Sequence, residues 1–207
     1  MRDISMLLHR AKELMVESGA LLTGNFTLSS GKQSHYYIDS KMFTLTPEGS
    51  ELAGEIIFAL LAKTDVEAVG GMAHSAIPII TMVTNLSYRN GKPLPGFYVR
   101  EEQKEHGTRK SIEGCLPRKK GAKVAVIDDV ITTGGSVRKA VGAVEEAGYV
   151  VSKVIALLER HEGGADNLRK KFDFTSVFAT DELGDLYISL PGLEELRSRP
   201  LVSAPAK

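Results

Sequence analysis

The sequence predicts an α/β protein, with a parallel sheet flanked by helices and a small N-terminal hood of helix and hairpin. Residues 65–160 alternate between short β-branched runs and helical stretches, the pattern of βαβ units. The run "KVAVID" at 123–128 is apolar without interruption from Val124 to Ile127, as expected for a strand covered on both faces. At 207 residues, with no repeat or linker dividing it, the chain is predicted to form a single domain over residues 1–207.

The hood is predicted within residues 1–45, approximately. Apolar residues recur at helical spacing from Ile4 to Met15, and Gly19 follows as a stop signal. Residues 22–40, "LTGNFTLSSGKQSHYYIDS", place short aromatic and β-branched runs on either side of a Ser-Ser-Gly turn signal. This segment is therefore predicted to be a hairpin.

Beyond the hood, helices and strands are predicted from similar signals. Thr46 caps a helix with Pro47 in its first turn, and Pro78 lies near the start of the next helix. A third helix, 137–147, ends before Gly148. The predicted strands are the runs "EAVGG", "LPGFYVR", "KVAVID" and "VVSKVIALLER".

Residues 100–123 are strongly charged, with eight Lys or Arg against four Glu and almost nothing to bury. Such a stretch predicts a mobile loop. On charge alone, a solvated surface is a more common role for it than a functional one.

The global composition limits the partners and the compartment. Lys plus Arg and Asp plus Glu both total 26, so no net charge draws the chain toward nucleic acid or anionic lipid. No apolar run approaches the ~18 residues that a membrane span needs. The single cysteine, Cys115, cannot form an intrachain disulfide, and residues 1–15 lack the uninterrupted apolar core of a secretory signal. We expect a cytoplasmic protein with neither a nucleic-acid nor a membrane partner.

The segment "VIDDVITTGGS" at 126–136 carries the strongest chemical signal. Asp128 is predicted where a buried strand ends, which is where open α/β sheets bind ligands. Neighbouring strand residues point to opposite faces, so Asp128 and Asp129 should take separate partners. The hydroxyls and glycines that follow lead into a helix N-terminus, a suitable site for a phosphate. A Walker-type loop does not fit, because Gly135 stands where its lysine would be. A plain turn remains the structural alternative.

These residues resemble the binding signature for 5-phospho-α-D-ribosyl 1-diphosphate (PRPP) of type I phosphoribosyltransferases. Three further segments are similar to orotate phosphoribosyltransferases: "NFTLSSGKQSHYYID" to the substrate hairpin, "REEQKEHGT" to the catalytic loop and "LLERHEGG" to the base-contacting strand end. The resemblance implies the type I phosphoribosyltransferase fold. It also implies transfer of a phosphoribosyl group from PRPP to N1 of orotate, giving orotidine 5'-monophosphate and pyrophosphate in pyrimidine synthesis.

The resemblance also implies a set of site residues, with a mobile catalytic loop over residues 100–114. In the family pattern, aspartates hold the ribose hydroxyls, the glycine turn wraps the 5'-phosphate and the charged loop closes over pyrophosphate. The implied PRPP contacts are Arg100, Lys104, His106, Asp128, Asp129, Val130, Ile131, Thr132, Thr133, Gly134, Gly135 and Ser136. Thr132 and Arg160 are the implied orotate contacts, and Lys104, His106 and Asp129 are the implied catalytic residues.

Mg²⁺ is expected to arrive with PRPP, held by substrate oxygens and water, so no dedicated metal residue is predicted. The resemblance further implies a homodimer that exchanges loops. His74, in "GGMAHSAIP", matches the family's pyrophosphate-side loop. Three positions depart from the pattern, because Glu101, Ser75 and Ser29 stand where many relatives have lysine.

Two alternative functions share the PRPP signature. A phosphoribosyltransferase for another base would differ at Tyr36, Tyr37, Arg160 and the hairpin. A PRPP-sensing regulator would normally add a basic winged-helix segment. The N-terminal section here has mixed charge and the chain is neutral, which favours an enzyme.

Overall fold

The computed structural model describes residues 2–27, 33–101 and 111–193. The helices are α1 (Ile4–Glu17), α2 (Lys41–Thr44), α3 (Pro47–Leu61), α4 (Ile77–Arg89), α5 (Gly135–Glu146) and α6 (Gly164–Arg169). The strands are β1 (Leu21–Thr27), β2 (Gln33–Ile38), β3 (Ala68–Met72), β4 (Gly96–Val99), β5 (Ile112–Gly114), β6 (Lys123–Ile131), β7 (Val150–Glu159), β8 (Phe174–Thr180) and β9 (Leu186–Ile188).

The central sheet has seven strands in the order β5-β4-β3-β6-β7-β8-β9. Strands β4, β3, β6, β7 and β8 run parallel, and the edge strands β5 and β9 pair antiparallel with their neighbours. Ala125 and Ile127 of β6 pack in one core cluster with α1, α3 and α4, whereas Val124 and Val126 pack in a second cluster with α5. The predicted α/β fold, with helices on both faces of a mostly parallel sheet, is confirmed.

The N-terminal hood also has its predicted parts. Helix α1 begins after Asp3, whose side chain accepts from the amide of Ser5, and Gly19 follows it with a φ of 76°. Strands β1 and β2 pair antiparallel, and the residues that join them lie outside the described ranges. Thr46 caps α3 by accepting from the amide of Gly49.

Two predictions about the sheet are wrong in detail. Residues 100–123 were predicted to form one loop with almost nothing to bury. Instead, Ile112–Gly114 forms β5 against β4, and Ile112 and Leu116 pack against the second core cluster. Strand β6 does not end at Asp128 but continues to Ile131, since Val130 and Ile131 still pair with β7.

Within the described ranges, no helix is long and apolar enough to span a membrane.

Candidate active site

The candidate site lies at the carboxyl ends of β3, β6 and β7. Because these strands are parallel, their ends meet at one edge of the sheet, where α/β proteins bind ligands. The loop after β3, the turn between β6 and α5, and the end of β7 therefore come together there. The hood hairpin and α2 join this edge through Ser34 and Ser40.

Asp128 and Asp129 are nearly buried at this edge, with 3% and 8% of their surfaces exposed. The Ser40 hydroxyl donates to Oδ2 of Asp129, whereas Asp128 accepts from the amide of Asp129 at 3.1 Å and interacts with the Ser75 side chain. The two aspartates thus take separate partners, as predicted. Their carboxyl groups nevertheless remain close enough to interact, which strand alternation alone did not predict.

The two carboxyl groups have different electrostatic surroundings. Burial raises the pKa of Asp128 to about 8, and the adjacent charge of Asp129 and a hydrogen bond with that side chain add to the rise. In the free protein at neutral pH, Asp128 is therefore largely protonated. The single proton of Asp128 is then donated to Asp129, and oxygens of both carboxyl groups remain as acceptors, which suits adjacent sugar hydroxyls.

The turn between β6 and α5 has the form of an anion cradle. Gly134 precedes the helix with a φ of 75°, a conformation that L side chains rarely adopt, and no side chain caps α5. Thr133, Gly135 and Ser136 are exposed there. The first amides of α5 therefore lie at an accessible helix N-terminus, where a phosphate is favoured.

The back of this turn is fixed by two contacts. Arg138 donates from Nη1 to the carbonyl of Thr133 at 2.9 Å. The start of α6 packs so closely that a Cβ on Gly164 would lie 2.1 Å from the carbonyl oxygen of Thr132. These contacts shape the turn before any ligand arrives.

Arg160 lies at the end of β7 and is buried, with 8% of its surface exposed. Its guanidinium carbon is 4.7 Å from the ring centre of Tyr36, and Nη2 donates to Oγ of Ser34 at 3.3 Å. The Tyr36 hydroxyl in turn hydrogen-bonds with Thr180 at 3.1 Å. Nε of Arg160 lies 3.3 Å from a Glu162 oxygen, but it makes no hydrogen bond within the described residues. The hairpin thus holds the Arg160 guanidinium in place, and the Nε–H of Arg160 remains able to donate to a ligand.

Arg100 lies on the other side of the site, directly after β4. Of the three loop residues that the resemblance implies as PRPP contacts, it is the one within the described ranges. A pocket of about 330 Å³ is lined by Ala73, His74, Ile77, Tyr98, Arg100 and Glu101. Arg100 donates to Glu113 at 3.5 Å, and a Glu101 carboxylate oxygen lies 3.8 Å from Nδ1 of His74. The Lys139 ammonium donates to the carbonyl of Glu101, which fixes the base of the loop to α5.

The structure therefore brings Arg100, the 128–136 segment and Arg160 to one edge of the sheet. The other implied loop residues, Lys104 and His106, lie outside the described residues, as does Ser29. Sequence reasoning missed Ser34, Ser40 and Thr180, which reach the site through contacts across long sequence separations. Among the described residues, no three His, Cys, Asp or Glu side chains are grouped so that they could hold a metal ion.

Comparison with known proteins agrees with this geometry. The phosphoribosyl transferase domain family matches residues 49–185. An orotate phosphoribosyltransferase of Nostoc sp. is 42% identical over 190 residues, which cover 91% of this chain and 90% of the relative. The orotate phosphoribosyltransferase of Mycobacterium tuberculosis in complex with Fe(III) dicitrate has a TM-score of 0.70 at 32% identity, covering 88% of this chain and 99% of that one. The M. tuberculosis enzyme in complex with PRPP has a TM-score of 0.66 at 31% identity, covering 86% and 96%.

The fold and the strand-end cradle define the class of protein, and the chain belongs to the phosphoribosyltransferase family. The relatives narrow that class further, since they match over nearly the whole length of both chains. Within the family, the chain belongs to the orotate phosphoribosyltransferases. The resemblance that the sequence motifs indicated is confirmed.

Proposed function

We propose that the chain transfers the phosphoribosyl group of PRPP to N1 of orotate at the strand-end site, releasing pyrophosphate. The observation that carries this proposal is the position of Arg160 on the same sheet edge as Asp128, Asp129 and the glycine turn. One side of the site suits a ribose 5-phosphate, and the other suits a planar anion.

PRPP would bind along the segment from Asp128 to Ser136. The two aspartates face the ribose hydroxyls, and both accept hydrogen bonds from them. Thr132, Thr133, Gly134, Gly135 and Ser136 enclose the 5'-phosphate at the N-terminus of α5. Val130 and Ile131 contribute through their backbone, since β6 continues through both residues.

Orotate would bind between the hairpin and the end of β7. Its carboxylate and carbonyl oxygens are acceptors, and the Arg160 guanidinium can donate to them in a planar, paired geometry. Because Tyr36 and Ser34 already hold the guanidinium, little side-chain freedom is lost on binding. Thr132 reaches the same region from the PRPP side.

The charged loop would stabilise the departing pyrophosphate. Arg100 lies at the base of the loop, and we assign Lys104 and His106 to the part that closes over the leaving group. Orotate is already anionic, so no activated nucleophile is needed. Catalysis then consists of positioning, charge neutralisation and exclusion of water from an oxocarbenium-like transition state.

Mg²⁺ is proposed to enter as part of the PRPP complex, ligated by pyrophosphate and ribose oxygens and by water. When bound, it neutralises charge on the leaving group. The donor set fits this mode of binding, because Ser40 and Ser75 hold the two aspartates in a hydrogen-bonded arrangement that suits sugar hydroxyls rather than direct ligation of a metal.

We further propose that residues 1–207 form one phosphoribosyltransferase domain that works as a homodimer in the cytoplasm. The exposed, single Cys115 fits a reducing compartment. Sedimentation at micromolar concentration tests the dimer, and a monomer that retains full activity would contradict it.

The role of Arg160 is tested by steady-state kinetics of Arg160→Ala and Arg160→Lys. Loss of a buried charged donor typically costs about 2 kcal/mol or more, so we expect the KM for orotate to rise at least roughly thirtyfold in the alanine variant. Lysine should restore only part of this loss, because it lacks the planar fork. The KM for PRPP should stay near that of the unmodified protein.

The exposed Arg89 on α4 provides the control, and Arg89→Ala should leave both KM values unchanged. An unchanged KM for orotate in Arg160→Ala would remove Arg160 from the orotate site. A parallel rise in both KM values would instead indicate a general disturbance of the sheet edge.

A further inference from the structure

Ser40 makes a contact that its local position does not explain. It is the residue before α2, where a serine side chain normally caps the helix, yet its hydroxyl makes no capping hydrogen bond. The backbone carbonyl of Ser40 instead accepts from the amides of Phe43 and Thr44, at 3.0 and 2.8 Å. The turn is therefore closed without the side chain.

The hydroxyl of Ser40 instead forms a hydrogen bond with a residue that is distant in the sequence. It donates to Oδ2 of Asp129, which lies 89 positions away in the sequence. Ser40 and Asp129 are both buried, with 7% and 8% of their surfaces exposed. This bond therefore joins the N-terminal hood directly to the end of β6, beneath the candidate ribose site.

A buried carboxylate with a hydrogen-bond donor on one oxygen has a restricted orientation. Its rotation about χ2 is limited. Because a carboxylate has about four lone-pair sites, Asp129 can still accept from a ligand hydroxyl beside its hydrogen bonds with Ser40 and Asp128. Lys41, the next residue of the hood, pairs with Asp39 at 2.7 Å, and its ammonium also interacts with the charge of Asp129. The hood thus supplies Asp129 with both a direct donor and a nearby positive charge.

We propose that Ser40 is a positioning residue for PRPP binding: by holding Oδ2 of Asp129, it orients the carboxylate to accept from a ribose hydroxyl. This inference rests on the proposed role of Asp129 as a ribose ligand. It also makes PRPP affinity depend on correct docking of the hood on the sheet. Ser40 itself does not touch the reacting atoms.

A double-mutant cycle on PRPP affinity tests this proposal. Isothermal titration calorimetry with PRPP and Mg²⁺, without orotate, would compare the unmodified protein with Ser40→Ala, Asp129→Ala and the double variant. Ser40→Ala should weaken PRPP binding roughly tenfold, because the Asp129 carboxylate is then no longer held in its binding orientation. In the Asp129→Ala background, which has no acceptor for the Ser40 hydroxyl, the same Ser40 substitution should have almost no further effect.

Two other variants separate positioning from a structural role. Ser40→Thr keeps the hydroxyl and should restore most of the PRPP affinity, which remains informative if Ser40→Ala folds poorly. Ser18→Ala removes a different hydroxyl of the hood, which is half-buried and donates to the carbonyl of Met15, and it should leave PRPP affinity unchanged.

The outcomes distinguish this inference from the proposed function. If Asp129→Ala leaves PRPP affinity intact, the assignment of Asp129 to the ribose is wrong. If Asp129→Ala weakens binding but Ser40→Ala does not, the positioning role of Ser40 is overturned while the proposed function stands. A Ser40→Ala effect of equal size in both backgrounds would also overturn it, because Ser40 would then act independently of Asp129.

Discussion

Replacement of Asp128 by asparagine should make the free protein more stable, by an amount that increases with pH. Burial raises the pKa of Asp128 to about 8, from an ordinary value of 3.8. Between these two values the folded protein binds a proton that the unfolded chain lacks. The contribution of the protonated Asp128 to stability is therefore fully present below pH 3.8 and is progressively lost as the pH rises through about 8.

The size of this effect follows from proton linkage. A single group that is protonated only in the folded state changes the free energy of unfolding by about 1.4 kcal/mol per pH unit. Between pH 5.5 and 7.5, the unmodified protein should lose roughly 3 kcal/mol through Asp128 alone. Asparagine resembles the protonated carboxyl in shape and does not titrate, so Asp128→Asn should not show this loss.

Urea denaturation followed by circular dichroism, without PRPP, gives the required free energies. The difference in unfolding free energy between Asp128→Asn and the unmodified protein should grow by about 3 kcal/mol from pH 5.5 to 7.5. Gly142→Ala, which changes no titratable group and has open space around it, is the control and should show a difference that is nearly independent of pH. A constant difference for Asp128→Asn would refute the assignment of a protonated Asp128.

Other predictions address the loop, the turn and the hairpin. Lys104→Ala should lower kcat strongly at nearly constant orotate affinity in steady-state assays, and an unchanged kcat would exclude Lys104 from catalysis. Gly164→Ala should lower the Tm, because its Cβ would lie 2.1 Å from the carbonyl oxygen of Thr132, whereas Gly142→Ala, with open space around it, should raise the Tm slightly. Tyr36→Phe should raise the KM for orotate several-fold, because it removes the hydrogen bond to Thr180 of β8. Tyr36→Ala should raise this KM further, because it also removes the ring under the Arg160 guanidinium. Equal effects of the two variants would show that only the hydroxyl matters.

The features predicted from sequence are those determined by local patterns. Helix spacing, capping residues and continuous apolar runs identified α1, α3, α4, α5 and the strands β3, β4, β6 and β7. The segment at 126–136 was recognisable because its residues are contiguous, and Arg160 was implied by the resemblance of "LLERHEGG" to a base-contacting strand end. Each of these signals lies within about a dozen residues of sequence.

The features missed from sequence depend on long-range contacts. Strand β5 is only three residues long and exists because β4 pairs with it, and β6 extends through two aspartates because β7 continues beside it. Ser40 and Thr180 gave no local signal, since their partners Asp129 and Tyr36 lie 89 and 144 positions away. Docking of the hood on the sheet, which creates these contacts, is not encoded in any single segment.

The most direct test of the proposed activity is an ultraviolet assay of base consumption by the purified protein with PRPP and Mg²⁺. We predict that orotate is consumed and that uracil, hypoxanthine and adenine are not, because the proposed role of Arg160 is to bind the carboxylate that only orotate carries. Turnover of a purine without turnover of orotate, or PRPP binding without turnover of any base, would contradict the proposal.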